Sequence, residues 1–146
     1  MPDIELLIER RWNSAARNVQ QAREIARKVV LRFAASDCAD LIELAIGEAC
    51  ANAIEHGSPD GERSQFILRC FVEPEQPALV FEVEDEGQEF SLSHLPLGHA
   101  PDLYSEGGRG LFLISQIMDE VALQSTPHGL NIRMIKHVAA GAHDTP

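Results

Sequence analysis

A carboxylate and a carboxamide, Glu48 and Asn52, stand four residues apart in the stretch IGEACANAIEHG, residues 46–57. On a helix that spacing sets both on one face, one turn apart. An ionised carboxylate only accepts hydrogen bonds or takes up a proton, whereas a carboxamide offers both an acceptor and donors. The pair could therefore serve a hydroxyl at one end and a cation or polar ligand at the other. A second acid, Asp85, closes the run ALVFEVEDEG, in which Leu79, Phe81 and Val83 share one strand face and Asp85 continues it. Gly87 then permits a turn. An acid at the lip of a sheet's buried side needs a donor, and a base edge with an exocyclic amine would serve. Finally, EGGRGLFLI, residues 106–114, gathers Gly107, Gly108, Arg109 and Gly110 at the opening of an apolar helix. Backbone amides at such a helix start form an anion site.

Each signal has a plainer rival. Glu48 and Glu55 could simply reach solvent, Asp85 could start a turn, and the glycines could be a flexible hinge before a packed helix. The glycine run is not a Walker A loop, since no Lys-Ser/Thr pair follows, and Leu113 occupies the position where a dinucleotide fingerprint needs its last glycine. What is specific is the order of the three.

The elements that must position these residues follow from periodicity. Ile4, Leu6 and Ile8 alternate with acids and predict a first strand with one buried face. Ser14 is placed to cap a helix whose stripe is Ala15, Val19, Ala22, Ala26, Val29, Val30 and Phe33. A second helix runs from Leu41 to about His56 and stops at Gly57. Relative to Leu41 at 0°, Glu48, Asn52, Glu55 and His56 fall at about 340°, 20°, 320° and 60°. Leu41, Leu44 and Ala45 fill the same arc two turns earlier, so this face begins apolar and turns polar partway along. A buried, unpartnered charge would cost several kcal/mol, so if the arc is covered it must face a ligand, a metal or a counter-charge. SQFILRCFVE and ALVFEVED, parted by PEQP, predict a hairpin, and VALQS and LNIRMIKHV, parted by TPHG, a closing one. Between Gly87 and Gly110 the pattern dissolves into a long loop, which in a compact domain points to function or disorder.

The chain has 146 residues, a 45% hydrophobic share and no internal repeat, which fits a single α+β domain with helices on one side of a mainly antiparallel sheet. A net charge of -11 argues against a nucleic-acid footprint. No apolar run is long enough to span a bilayer, and no signal-peptide pattern opens the chain, so a cytoplasmic protein is expected. Cys38, Cys50 and Cys70 are scattered and suggest neither disulfides nor zinc. His94 and His99 read as solvated loop residues rather than a metal pair.

Taken as they stand, GEACANAIEHG, EDEGQEF and GGRGLFLI resemble, in letters and in spacing, the GHKL superfamily of ATP-binding domains, and within it the bacterial anti-sigma-factor serine/threonine kinases. The resemblance covers residues 4–138 and implies one histidine-kinase-like ATP-binding domain over residues 1–146, a two-layer α+β sandwich with a fraying tail from 139. It implies ATP and Mg²⁺ as cofactors. Asn52 would bind the Mg²⁺ that bridges the phosphates, and Glu48 would act as general base. Asp85 would accept from the adenine amine while Gly87 leaves room for the base. Gly107, Gly108, Arg109 and Gly110 would close a lid on the phosphates. Glu89 stands where many GHKL domains carry a second glycine, a departure the kinase branch shares. His56 is expected to make a structural contact at the helix end.

The implied function is a Mg-ATP-dependent serine/threonine protein kinase that acts as an anti-sigma factor. It phosphorylates an anti-sigma-factor antagonist and has a sigma factor as a second candidate partner. A homodimer stays open, as does the role of an ATP-driven binding module without phosphoryl transfer. A sensor histidine kinase fits less well, because only one helix precedes the Glu48 helix and it holds no His.

Overall fold

Two stretches of alternating apolar and charged residues separated by PEQP become the central hairpin of the molecule, and a second such pair around TPHG becomes its other hairpin. The computed structural model describes residues 4–33, 36–75, 77–87 and 108–138. The strands are β1 (Glu5–Asn13), β2 (Gln65–Glu73), β3 (Ala78–Glu84), β4 (Glu120–Ser125) and β5 (Leu130–His137). The helices are α1 (Val19–Phe33), α2 (Ala39–His56) and α3 (Gly108–Ile117), with short 3-10 turns at Ala16–Asn18, Ser36–Cys38 and Gly61–Arg63. The sheet order is β1-β2-β3-β5-β4, and every neighbouring pair is antiparallel.

One face of the sheet presents Phe66, Leu68 and Cys70 from β2, Leu79, Phe81 and Val83 from β3, and Ile132 and Met134 from β5. Against it pack Ala22, Ala26 and Val30 of α1, Ile42, Ile46, Ala49 and Ala53 of α2, and Ile114 of α3. Alanine at so many helix positions lets the helices come close to the sheet and leaves no room for larger side chains. The result is the expected two-layer α+β arrangement. No described helix is long and apolar enough to cross a membrane.

The other face is held by charge. Arg69 at the centre of β2 pairs with Glu9 of β1 at 2.8 Å, with Glu84 of β3 at 2.8 Å and with Glu82 at 3.6 Å. Arg133 of β5 reaches Glu82 at 3.5 Å. Such cross-strand pairs tie four strands together without an apolar cover.

Two local expectations are corrected. Ile4 and Leu6 are 41% and 49% exposed rather than buried, because the register shifts between Leu6 and Ile8. The bulge leaves Leu7 without a partner and turns Leu7 and Ile8, not Leu6, toward the core. Ser14 does not cap α1. Its backbone N–H donates to the Ser64 carbonyl at 2.8 Å, its buried hydroxyl has no partner among the described residues, and the chain makes a 3-10 turn before α1 begins at Val19. A tertiary contact to the segment before β2 outcompetes the local cap. The α1 stripe itself stands, with Ala22, Ala26, Val29 and Val30 buried.

Candidate active site

The side of α2 that carries Ile42, Ala45, Ile46, Ala49, Cys50 and Ala53 is fully enclosed, which fixes the helix's rotation. That rotation leaves Glu48 and Asn52 half-buried at the helix edge, with Glu55 and His56 exposed beyond them. His56 pairs only loosely with Glu55, at 3.7 Å. The first turn of α3 comes down onto the edge. A Cβ placed on Gly110 would stand 3.2 Å from Glu48 Oε2 and 3.4 and 3.5 Å from Asn52 Nδ2 and Oδ1. A methyl there would crowd the Glu48 carboxylate and touch Asn52 at ordinary contact distance, so glycine eases the approach. The amino end of α3, with its positive dipole end, therefore lies beside the carboxylate and the carboxamide. Gly108 and Arg109 belong to this same first turn. Gly107, Glu89, His94 and His99 lie outside the described residues, as does the tail from residue 139.

Asp85 follows β3 directly and is 7% exposed. Its backbone N–H donates to the Leu130 carbonyl at 2.9 Å. Its Oδ1 accepts from the backbone amides of Gly87 at 2.8 Å and Leu130 at 3.2 Å. Three glycines close around it. A Cβ on Gly57 would overlap the Asp85 carboxyl carbon and Oδ2, and one on Gly129 would overlap its backbone carbonyl. One on Gly87 would sit 3.0 Å from Gly57 Cα and 3.2 Å from the His56 carbonyl. Burial pushes the Asp85 carboxyl above its ordinary value; the amides of Gly87 and Leu130 pull the other way, and the neighbouring Glu84 and Glu86 add to the rise.

Gly57 thus plays a different part from the one expected of it. Its φ is -114°, so it does not end α2 in a left-handed turn; it ends the helix where Asp85 needs space. Gly129 and Leu130 were not singled out by sequence. TPHG reads as hairpin punctuation, and nothing local ties Leu130, the residue after it, to an acid 45 positions earlier.

The acid and the polar pair are placed by one element. Gly57, in contact with Asp85, lies about 7.5 Å along the helix axis from Asn52 and about 13.5 Å from Glu48, at 1.5 Å per residue. The site therefore has an acceptor for a donor edge at one end, and an amide, a carboxylate and a helix amino end at the other. Among the described residues no group of three or more His, Cys, Asp or Glu is close enough to cage a metal ion.

Known proteins resemble the chain over most of its length. The family described as "Histidine kinase-like ATPase domain" matches residues 12–136. The serine-protein kinase RsbW of Staphylococcus epidermidis is 33% identical over 146 aligned positions, covering 94% of this chain and 91% of that one. RsbW of Bacillus subtilis strain 168 is 30% identical over 111 positions, 71% of this chain and 69% of its own. RsbW of Bacillus velezensis is 31% identical over 102 positions, and the chain spans only 63% of that relative's length. The crystal structure of the RsbU and RsbW domains of a Mycobacterium tuberculosis protein superposes with a TM-score of 0.63 at 16% identity, over 89% of this chain and 31% of that one, a likeness of fold. The chain belongs to the histidine kinase-like ATPase domain family, and within it to the anti-sigma-factor serine kinase branch that the RsbW proteins represent.

Proposed function

We propose that the chain is a Mg-ATP-dependent serine/threonine protein kinase and anti-sigma factor that phosphorylates an anti-sigma-factor antagonist. The observation that carries this reading is the placement of Asp85 at one end of α2 and of Glu48 and Asn52 beside the start of α3. A nucleoside triphosphate has the same polarity, a donor-bearing base at one end and anionic phosphates at the other. Relatives that bear the name serine-protein kinase support the chemistry.

In this reading Asp85 holds Oδ1 on the amides of Gly87 and Leu130 and turns Oδ2 to the adenine amine. Gly87 keeps the base from meeting a side chain. The amides at the start of α3, with Gly107, Gly108, Arg109 and Gly110, bear on the phosphates. Asn52 would hold Mg²⁺ through its amide oxygen, and the ion, which takes few protein ligands and keeps phosphate oxygens, would neutralise charge at the β- and γ-phosphates. Glu48 accepts the proton of the incoming Ser or Thr hydroxyl as its oxygen bonds to the γ-phosphorus. The bond to the β-phosphate oxygen breaks, and ADP leaves. Positioning supplies most of the rate, because little covalent work falls to the protein.

The decisive assay incubates the purified chain with labelled ATP, Mg²⁺ and candidate antagonists, and looks for label on a Ser or Thr. Glu48→Gln should bind a fluorescent ATP analogue normally yet transfer phosphate about 100-fold or more slowly, the usual loss with a general base. Transfer at the wild-type rate in that variant removes Glu48 from its role. A module that only binds ATP has no need of Glu48, whose presence at the α3 end favours the enzyme. The proposal extends to a cytoplasmic protein that sequesters a sigma factor and forms a homodimer, which light scattering would detect.

A further inference from the structure

The outward ridge of α2 is where the molecule departs from what a solvated helix face would show. Taking Leu41 as 0°, the sector at about 80° to 140°, with Ile42, Ile46, Ala49 and Ala53, is buried on the sheet. The sector at about 200° to 260° belongs to α1, where Arg27 bridges Asp40 and Glu43 and Arg23 packs over Gly47. At about 20° to 40° Ala45 is enclosed and Asn52 lies under Gly110 of α3. What remains open holds Leu44, Glu55 and Leu41, with the half-buried Glu48 at its border with α3. Leu41 is 53% exposed and Leu44 38% exposed. Scattered surface leucines need no explanation. These two differ because they stand one and two turns before Glu48 on the same ridge, in a chain whose net charge is -11.

We propose that Leu41 and Leu44 form an apolar ledge on which the phospho-accepting protein docks, placing its Ser or Thr hydroxyl at Glu48. This rests on the kinase reading. The ledge is continuous with the one group that must meet the acceptor, since any protein surface that brings a hydroxyl to Glu48 along the open sector also covers the preceding two turns. The occupant is therefore the substrate protein itself, with an uncharged, apolar border beside its acceptor residue. A strongly acidic border would be repelled by a chain of this charge, and an apolar one gains by excluding water from both leucines.

The test is the double variant Leu41→Gln/Leu44→Gln, which keeps helix propensity nearly unchanged at exposed positions. Its control is Leu31→Gln, at a leucine 47% exposed on α1 and off this ridge. The probe is the antagonist that takes label from the wild-type chain. The double variant should raise the KM for that antagonist about tenfold and weaken its direct binding equally, leaving kcat and the affinity for a fluorescent ATP analogue unchanged. Leu41→Met/Leu44→Met should restore binding, and Leu31→Gln should change nothing. Unchanged KM and binding in the double variant overturn the ledge. So does a change confined to nucleotide affinity, which would make the leucines a seat for another segment of this chain, or a change confined to oligomeric state, which would assign them to a second copy. If an antagonist binds the wild-type chain without taking label, the kinase reading fails, and the ledge is judged by whether the double variant loses that binding. If no antagonist binds at all, both fail.

Discussion

Asp85 is held buried at some cost to folding. Its carboxyl is shifted upward by burial, so the folded protein holds that proton more tightly than the unfolded chain does. Stability from this group is therefore greatest in acid and falls as pH rises from the ordinary carboxylate value through the raised one. At neutral pH the charge is a liability that a bound donor would relieve. Asp85→Asn should raise the thermal midpoint at neutral pH while lowering ATP affinity about tenfold or more, since an amide nitrogen turned toward the adenine amine sets donor against donor. Calorimetry with Mg-ATP and thermal melts at neutral and acid pH check both halves, and the stability gain should vanish in acid. Gly57→Ala should also cost ATP affinity about tenfold, and stability by about 1–3 kcal/mol, because its new methyl must displace Asp85 or the end of α2. A variant that binds ATP normally would mean the acid can be reseated freely. At this scale the sequence was partly legible. Glu48, Asn52, Asp85 and Gly87 stand out because polar groups interrupt apolar periodicity there. Gly57 and Gly129 do not, because a glycine needed for space carries the same letter as one needed for a turn.

Among the elements, α2 does most to shape the site, and it was readable because an 18-residue apolar pattern overrides local ambiguity. The charged face of the sheet was not readable, since which Arg meets which Glu depends on register. Burial pushes the Glu84 carboxyl up, yet the Thr126 hydroxyl and the Arg69 guanidinium outweigh it and hold it below its ordinary value. Arg69→Met would leave Glu84 largely enclosed without its cation, and Glu82 with Arg133 alone. It should cost about 2–3 kcal/mol in urea unfolding, somewhat less than for a fully buried pair because Arg69 retains contact with water. A loss below about 0.5 kcal/mol would show that the ladder behaves as an ordinary surface network. The β1 bulge and the failed Ser14 cap belong to the same scale. Both are settled by pairing with β2 and the Ser64 segment, fifty residues away or more, which no local window contains.

For the molecule as a whole, composition and hairpin spacing made the fold class legible, because alternating strands and striped helices have few ways to cover one another. A net charge of -11 on a chain of this size means repulsion that salt screens. The thermal midpoint should rise between low salt and about 0.2 M sodium chloride, where the screening length falls below about 10 Å. A fall would point to the ion ladder as the stronger electrostatic contribution.

The seat of Asp85 joins three parts of the chain, the end of α2, the segment after β3 and the last hairpin. A ribosome-bound chain that has emerged only as far as Gly87 already holds Glu48, Asn52 and Asp85, yet it lacks Leu130 to orient the acid. Nucleotide capture during synthesis must wait for the closing hairpin, so premature termination anywhere before residue 130 should yield a product blind to ATP.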